Sequence, residues 1–96
     1  MASVLDDREH HRFLLTQDGE EAELVYRVNG NRLVLIHTEV PALFRGQGIA
    51  AQLVQAAIDR AAKSGETVVP VCRYARKWLQ DHADVAATVT IDWADA

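Results

Sequence analysis

The stretch that decides the fold is HTEVPALFRGQGIAAQLV, residues 37–54. A β-branched, alternating run meets Pro41, passes through a glycine-punctuated turn and enters an alanine-rich helical pattern. Pro41 has no N–H to give a sheet ladder, so the strand must release there. Beyond it, Ile49, Leu53, Ala56, Ala57 and Ala61 recur at three- and four-residue spacing, while Gln52, Gln55, Asp59 and Lys63 fall on the wet side. This predicts a helix from Gly46 to Ser64, ended by Gly65. Arg45-Gly46-Gln47-Gly48-Ile49-Ala50 therefore lies between a strand end and a helix N-terminus. The first helical N–H groups there have no backbone acceptor, and the macrodipole adds partial positive charge. Glycines at 46 and 48 let a ligand approach without a Cβ in the way, and Ala50 keeps the helix close to the sheet. A corner of this kind either makes a tight turn only or cradles a phosphate or pyrophosphate. The length and placement of the pattern favour the cradle. No Gly-Lys-Ser/Thr follows, so it is not a Walker loop, and it lacks the third glycine of the dinucleotide fingerprint.

Working outward, HRFLLTQDGEEAELVYRVNGNRLVLIHTEV, residues 11–40, reads as three strands. They cover about 11–16, 21–28 and 32–40, and they are broken at Asp18-Gly19 and Asn29-Gly30, both hairpin turn chemistry. After the long helix, ETVVPVC is a short apolar strand of the kind covered on both faces, and RYARKWLQDH is a second helix. The order predicts an α/β fold with a mixed sheet. An N-terminal antiparallel three-stranded meander is followed by strand, helix, strand and helix, with the third and fourth strands parallel. Residues 1–9 are polar and are expected to be frayed, which leaves one domain over residues 10–96. The tail after residue 82 has no decisive pattern.

Composition narrows the function. A 96-residue chain can bury roughly 60–65% of its extended surface, enough for a single core. A net charge of −4 argues against a nucleic-acid partner. No apolar run approaches the ~18 residues of a membrane span. The single cysteine, Cys72, suits a reducing, cytoplasmic setting.

Several side chains can carry chemistry. Cys72 follows an apolar strand at the start of a helix, near Arg73 and Arg76, where a thiolate would be favoured and could accept an acyl group. It could equally be a small buried hydrophobe. His37 and Glu39 alternate on one face of a strand and could deprotonate an incoming ammonium, or form a structural pair. With no third ligand they do not make a metal site. Tyr74 could return a proton to a departing thiolate, or simply pack. His10 and His11 read as an exposed pair, and Trp78 as core.

Arg45, Gly48 and Ala50 occupy the fixed positions of Arg/Gln-x-x-Gly-x-Gly/Ala after a strand and at the head of a long helix. With HTEVP before and VVPVC after, the chain resembles the GCN5-related N-acetyltransferases, in particular their very small YjdJ-type subgroup. The resemblance spans residues 11–82. It implies acetyl-CoA as cofactor, with its pyrophosphate on the backbone N–H groups of Arg45, Gly46, Gln47, Gly48, Ile49 and Ala50. Pantetheine would pair with backbone groups of Thr38 and Val40, between two splayed parallel strands. An N–H near Thr38 would face the thioester carbonyl.

Two departures stand out. Val34 occupies the position of the family's glutamate base, and Leu79 that of its proton-donating tyrosine. The expected activity is acetyl transfer to an unidentified amine, a small molecule or a protein lysine, directly or through Cys72. The alternative is a CoA- or acyl-CoA-binding module without transfer, and a generic nucleotide-phosphate domain is a weaker third.

Overall fold

The computed structural model describes residues 3–94. Five strands form one sheet in chain order: β1 (Leu5–Asp7), β2 (Arg12–Gln17), β3 (Glu20–Asn29), β4 (Arg32–Glu39) and β5 (Thr67–Pro70). β1 to β4 pair antiparallel and β5 pairs parallel to β4. Helix α1 (Ile49–Ser64) makes the crossover between the two parallel strands. α2 (Arg73–Asp81) and the short α3 (Ala83–Ala86) follow β5. This is the mixed sheet expected of a minimal acetyltransferase fold.

The meander has four strands rather than three. Residues 5–7, expected to belong to a frayed N-terminus, pair with β2 through Leu5–Leu14, Asp6–Phe13 and Asp7–Arg12. The carboxylates that made this segment look unstructured have partners. Asp6 accepts hydrogen bonds from the Tyr26 hydroxyl at 2.6 Å and Arg60 at 3.1 Å, and Asp7 accepts one from Arg12 at 3.1 Å. Residues 1 and 2, also within that expectation, lie outside the described residues.

The β2–β3 hairpin turns through Asp18 and Gly19, both at positive φ, as a two-residue turn that matches strand twist requires. β4 ends at Glu39, one residue before the expected release. α1 starts at Ile49 rather than Gly46, because residues 42–44 form a turn of 3-10 helix and both glycines sit in left-handed conformations. The tail is not a further helix throughout. Ile91 bridges Val68 in parallel, with Val68 N–H donating to Thr90 O and Asp92 N–H to Val68 O, both at 2.9 Å.

One apolar cluster joins the sheet residues Phe13, Leu15, Leu24, Leu33 and Leu35 to Leu53, Val54 and Ile58 of α1 and to Ala75 and Leu79 of α2. Fully burying each of these larger side chains stabilises by about 1.5–3 kcal/mol before entropy is subtracted. Val54 and Ile58 complete an α1 stripe wider than the sequence spacing alone suggested. Trp78 packs against this core while remaining half-buried. Alternate residues of the strands, among them Val25, Arg27, Val34 and His37, point to the opposite face.

Candidate functional site

Parallel pairing of β4 with β5 runs Arg32–Thr67, Leu33–Val68, Val34–Val69 and Leu35–Pro70, and there it stops. One more bond follows, from Cys72 N–H to Leu35 O at 2.8 Å. The break coincides with an irregularity on the other side of β4. Val25 of β3 pairs with His37 and Tyr26 pairs with Leu35, so Ile36 is an extra residue in β4. Such a bulge bends its strand and ends regular pairing. Beyond it β4 continues to Glu39 with no β5 residue opposite. The parting strands enclose a cavity of about 570 Å³, bordered by Ile36, Thr38, Val40, Cys72 and Tyr74 among others.

The glycine corner opens onto the same space. A second cavity of about 250 Å³ is bordered by Arg45, Gly46, Gly48 and Ile49. It shares Val40, Ala50 and Tyr74 with the first. The corner is anchored by Phe44, which is buried, and by short turns in which Phe44 N–H donates to Pro41 O and Gln47 N–H to Phe44 O. α1 makes its first intrahelical bond from Gln52 N–H to Gly48 O at 3.1 Å. The N–H groups of Ile49, Ala50 and Ala51 therefore precede the ladder and lack helical acceptors. Gly46 and Gly48 have φ of +80° and +70°, and a Cβ built on either meets nothing within 4 Å. The glycines are needed for conformation, and the space over them is open, as a seat for a bulky anion requires.

The chemistry-bearing candidates fall into two groups. Thr38, Cys72 and Tyr74 line the cleft wall. Thr38 Oγ1 lies 2.9 Å from Cys72 Sγ, and Cys72 is 5% exposed. Cys72 also caps α2 with its backbone. Arg73 borders the cleft, but Arg76 donates to Trp93 O at 3.1 Å and lies over the Trp93 ring. Only one of the two cations expected beside the thiol thus faces the site. Tyr74 is 40% exposed, and burial, together with the nearby Cys72, raises its phenol above the ordinary value. It remains a proton donor at neutral pH.

His37, which borders the cleft, and its neighbour Glu39 form the second group. They share a face, with Nε2 3.9 Å from Oε2 and both side chains more than half exposed. Both are open to water. Val34 and Leu79, the two departures from the family pattern, are buried.

Two features carried no sequence signal. One is the Ile36 bulge. The other is a brace on the corner: Gln17 Nε2 donates to Gln47 Oε1 at 3.1 Å, and Gln47 Nε2 donates to Leu43 O at 3.3 Å.

A mixed sheet whose parallel strands part beside a glycine-opened helix start defines an acetyltransferase-type α/β domain. The family profile described as GCN5-related N-acetyl-transferase matches residues 12–89. Protein NATD1 of Gallus gallus is 35% identical over 82 residues, covering 82% of this chain and 74% of the relative. Protein NATD1 of Mus musculus is similar to the same extent, and that of Danio rerio is 32% identical over 82 residues. The chain belongs to the GCN5-related N-acetyltransferase family. No helix among the described residues is long and apolar enough to cross a membrane.

Proposed function

We propose that this chain transfers an acetyl group from acetyl-CoA to an amine. The observation that carries the reading is the continuity of two spaces. The cleft between β4 and β5 runs past Val40, Ala50 and Tyr74 into the open corner at Gly46 and Gly48. A long cofactor with an anionic centre and a thin arm fits that path. Bound there, it supplies an activated thioester.

The residues would divide the work as follows. Free N–H groups at the head of α1 take the pyrophosphate, with Arg45 exposed beside them. The unpaired edge of β4 from Ile36 to Val40 offers backbone groups to the arm, and an N–H near Thr38 faces the carbonyl oxygen. His37, oriented by Glu39, accepts a proton from the entering ammonium. Tyr74 gives a proton to the departing sulfur. A carbon–nitrogen bond forms and the carbon–sulfur bond breaks; nitrogen loses two protons, one through His37 to water and one on attack, and the second balances the proton that Tyr74 delivers to sulfur.

The geometry favours direct transfer over a route through Cys72. Its thiol is almost wholly buried and shares a hydrogen bond with Thr38. In the indirect route Sγ would take the acetyl group, release the CoA thiol and then pass acetyl to the amine. The rival reading, a CoA-binding module without transfer, draws on Val34 and Leu79, which leave no family base or acid in the usual places.

Calorimetric titration with CoA, acetyl-CoA and ATP tests the binding half. CoA and acetyl-CoA should bind alike and well above ATP, and equal affinity for all three would reduce the site to a generic phosphate cradle. Release of CoA thiol on adding amines tests transfer. Its absence with every amine, beside intact CoA binding, would favour the module.

A further inference from the structure

The space along β3 bears on the acceptor: it reaches from Tyr26 and Arg60 on the helix side to Val25 and Arg27 on the opposite face. A groove of about 870 Å³ is bordered by Arg8, His10, His11, Val25, Arg27 and Ile36. Ile36, at the bulge, borders both this groove and the cleft. Register fixes the order of charges beside it. Glu39 pairs with Glu23, His37 with Val25, and Val34 with Arg27. All six side chains share one face by strand alternation. Charge therefore runs from the acidic Glu39 and Glu23, past His37, to Arg27, two residues or ~7 Å further along β3.

Most charges around this groove are already matched. Arg12 donates to Glu23 at 3.0 Å, His10 lies 3.0 Å from Asp7, and Arg8 lies 3.4 Å from Asp6. Arg60, which also borders the groove, is held by Glu66, Asp6 and the Tyr26 hydroxyl. Arg27 is different. It is exposed and makes no ion pair or hydrogen bond with another described residue. Val25 and Ile36 beside it are half-buried and apolar, a floor for a short alkyl chain.

We infer that the acceptor is a small amine that also carries an anionic group, a carboxylate or a phosphate. Its ammonium sits at His37 and Glu39, its chain lies over Val25 and Ile36, and its anion meets Arg27. A diamine would set its second ammonium against Arg27, and a simple alkyl amine would leave that cation unmatched. The inference rests on the transferase reading for its chemistry, yet the groove can be tested without it.

The test compares amines of one chain length: an ω-amino carboxylate, an ω-aminoalkyl phosphate, an alkyl amine and a diamine. CoA-thiol release is measured on the full chain, and binding is followed by NMR shifts of Val25 and Ile36. The anionic amines should show a kcat/KM roughly three- to fivefold above the alkyl amine, the size one exposed ion pair allows. Arg27→Gln should erase that preference through KM and leave the alkyl amine rate unchanged. Preference for the diamine, or a preference that survives Arg27→Gln, overturns the assignment. If no amine is acetylated, the transferase reading fails. The groove assignment then stands only where anionic amines shift Val25 and Ile36 and Arg27→Gln abolishes the shift; absence of the shift overturns it. A carboxylate effect without a phosphate effect, or the reverse, identifies which anion the groove takes.

Discussion

At the scale of single residues, Cys72 and Tyr74 separate the two routes of transfer. The Cys72 thiol exchanges a hydrogen bond with Thr38 and is nearly buried. Cys72→Ser keeps a donor and acceptor in that place, so direct transfer predicts CoA release within a few-fold of the parent. Intact mass after incubation with labelled acetyl-CoA should show no protein-bound label. A labelled parent and an inactive Cys72→Ser variant would reverse the conclusion. Tyr74→Phe removes only a hydroxyl from a side chain that borders both cavities. CoA affinity should hold while the transfer rate falls by about 10²-fold, the lower range for a positioned proton donor. An unchanged rate would show that water reprotonates the thiol. Neither side chain's placement could be taken from spacing alone. The sequence put Cys72 at a helix start with Arg73 and Arg76 nearby, but the direction of Arg76 depends on Trp93, in a tail that offered no pattern.

At the scale of elements, the site is built from a turn and an irregularity in a strand. Gly46 and Gly48 are both left-handed, where an L side chain costs about 1–2 kcal/mol. Gly48→Ala should lower stability by roughly that amount and weaken CoA binding more than the stability loss explains, because its Cβ enters the open space. Thermal unfolding and calorimetry on the same sample separate the two effects, and an affinity unchanged from the parent would remove the corner from the binding site. Deleting Ile36 tests the bulge. The deletion restores an unbroken β3–β4 register across Val25 and Tyr26, where Ile36 is the extra residue. The sheet should persist by circular dichroism while CoA binding is lost; retained binding would mean that the splay does not depend on the bulge. The turn was legible because Pro41 and the glycines restrict backbone angles locally. The bulge was not, since it exists only as a mismatch between two strands.

At the scale of the whole molecule, the order of elements was readable from the turn dipeptides and the switch of period after Pro41. What escaped is held by contacts distant in sequence. β1 is the clearest case: its acids are fixed by Tyr26 and Arg60, 20 and 54 residues from Asp6. The same cluster sets how the fold responds to pH. Arg60 grips Glu66 through two hydrogen bonds of 3.0 Å and donates to the Tyr26 hydroxyl at 2.8 Å. Burial and the Asp6 carboxylate push the Tyr26 phenol up to about 12 from an ordinary 10.0. Its contribution, on the order of 2 kcal/mol, is complete below pH 10 and is lost as pH rises through about 12. For Glu66, burial opposes ionisation, but the hydrogen bonds from Arg60 and Ser64 outweigh it and lower the carboxyl below its ordinary value. That contribution is present above the unfolded value and fades as pH falls through the folded one. Stability should therefore decline at both ends for reasons that mutation can divide. Tyr26→Phe should flatten the alkaline decline between pH 10 and 12 and leave the acid limb unchanged, as followed by unfolding temperature against pH. Glu66→Gln should do the reverse. An alkaline limb identical in Tyr26→Phe and the parent would show that another group controls it.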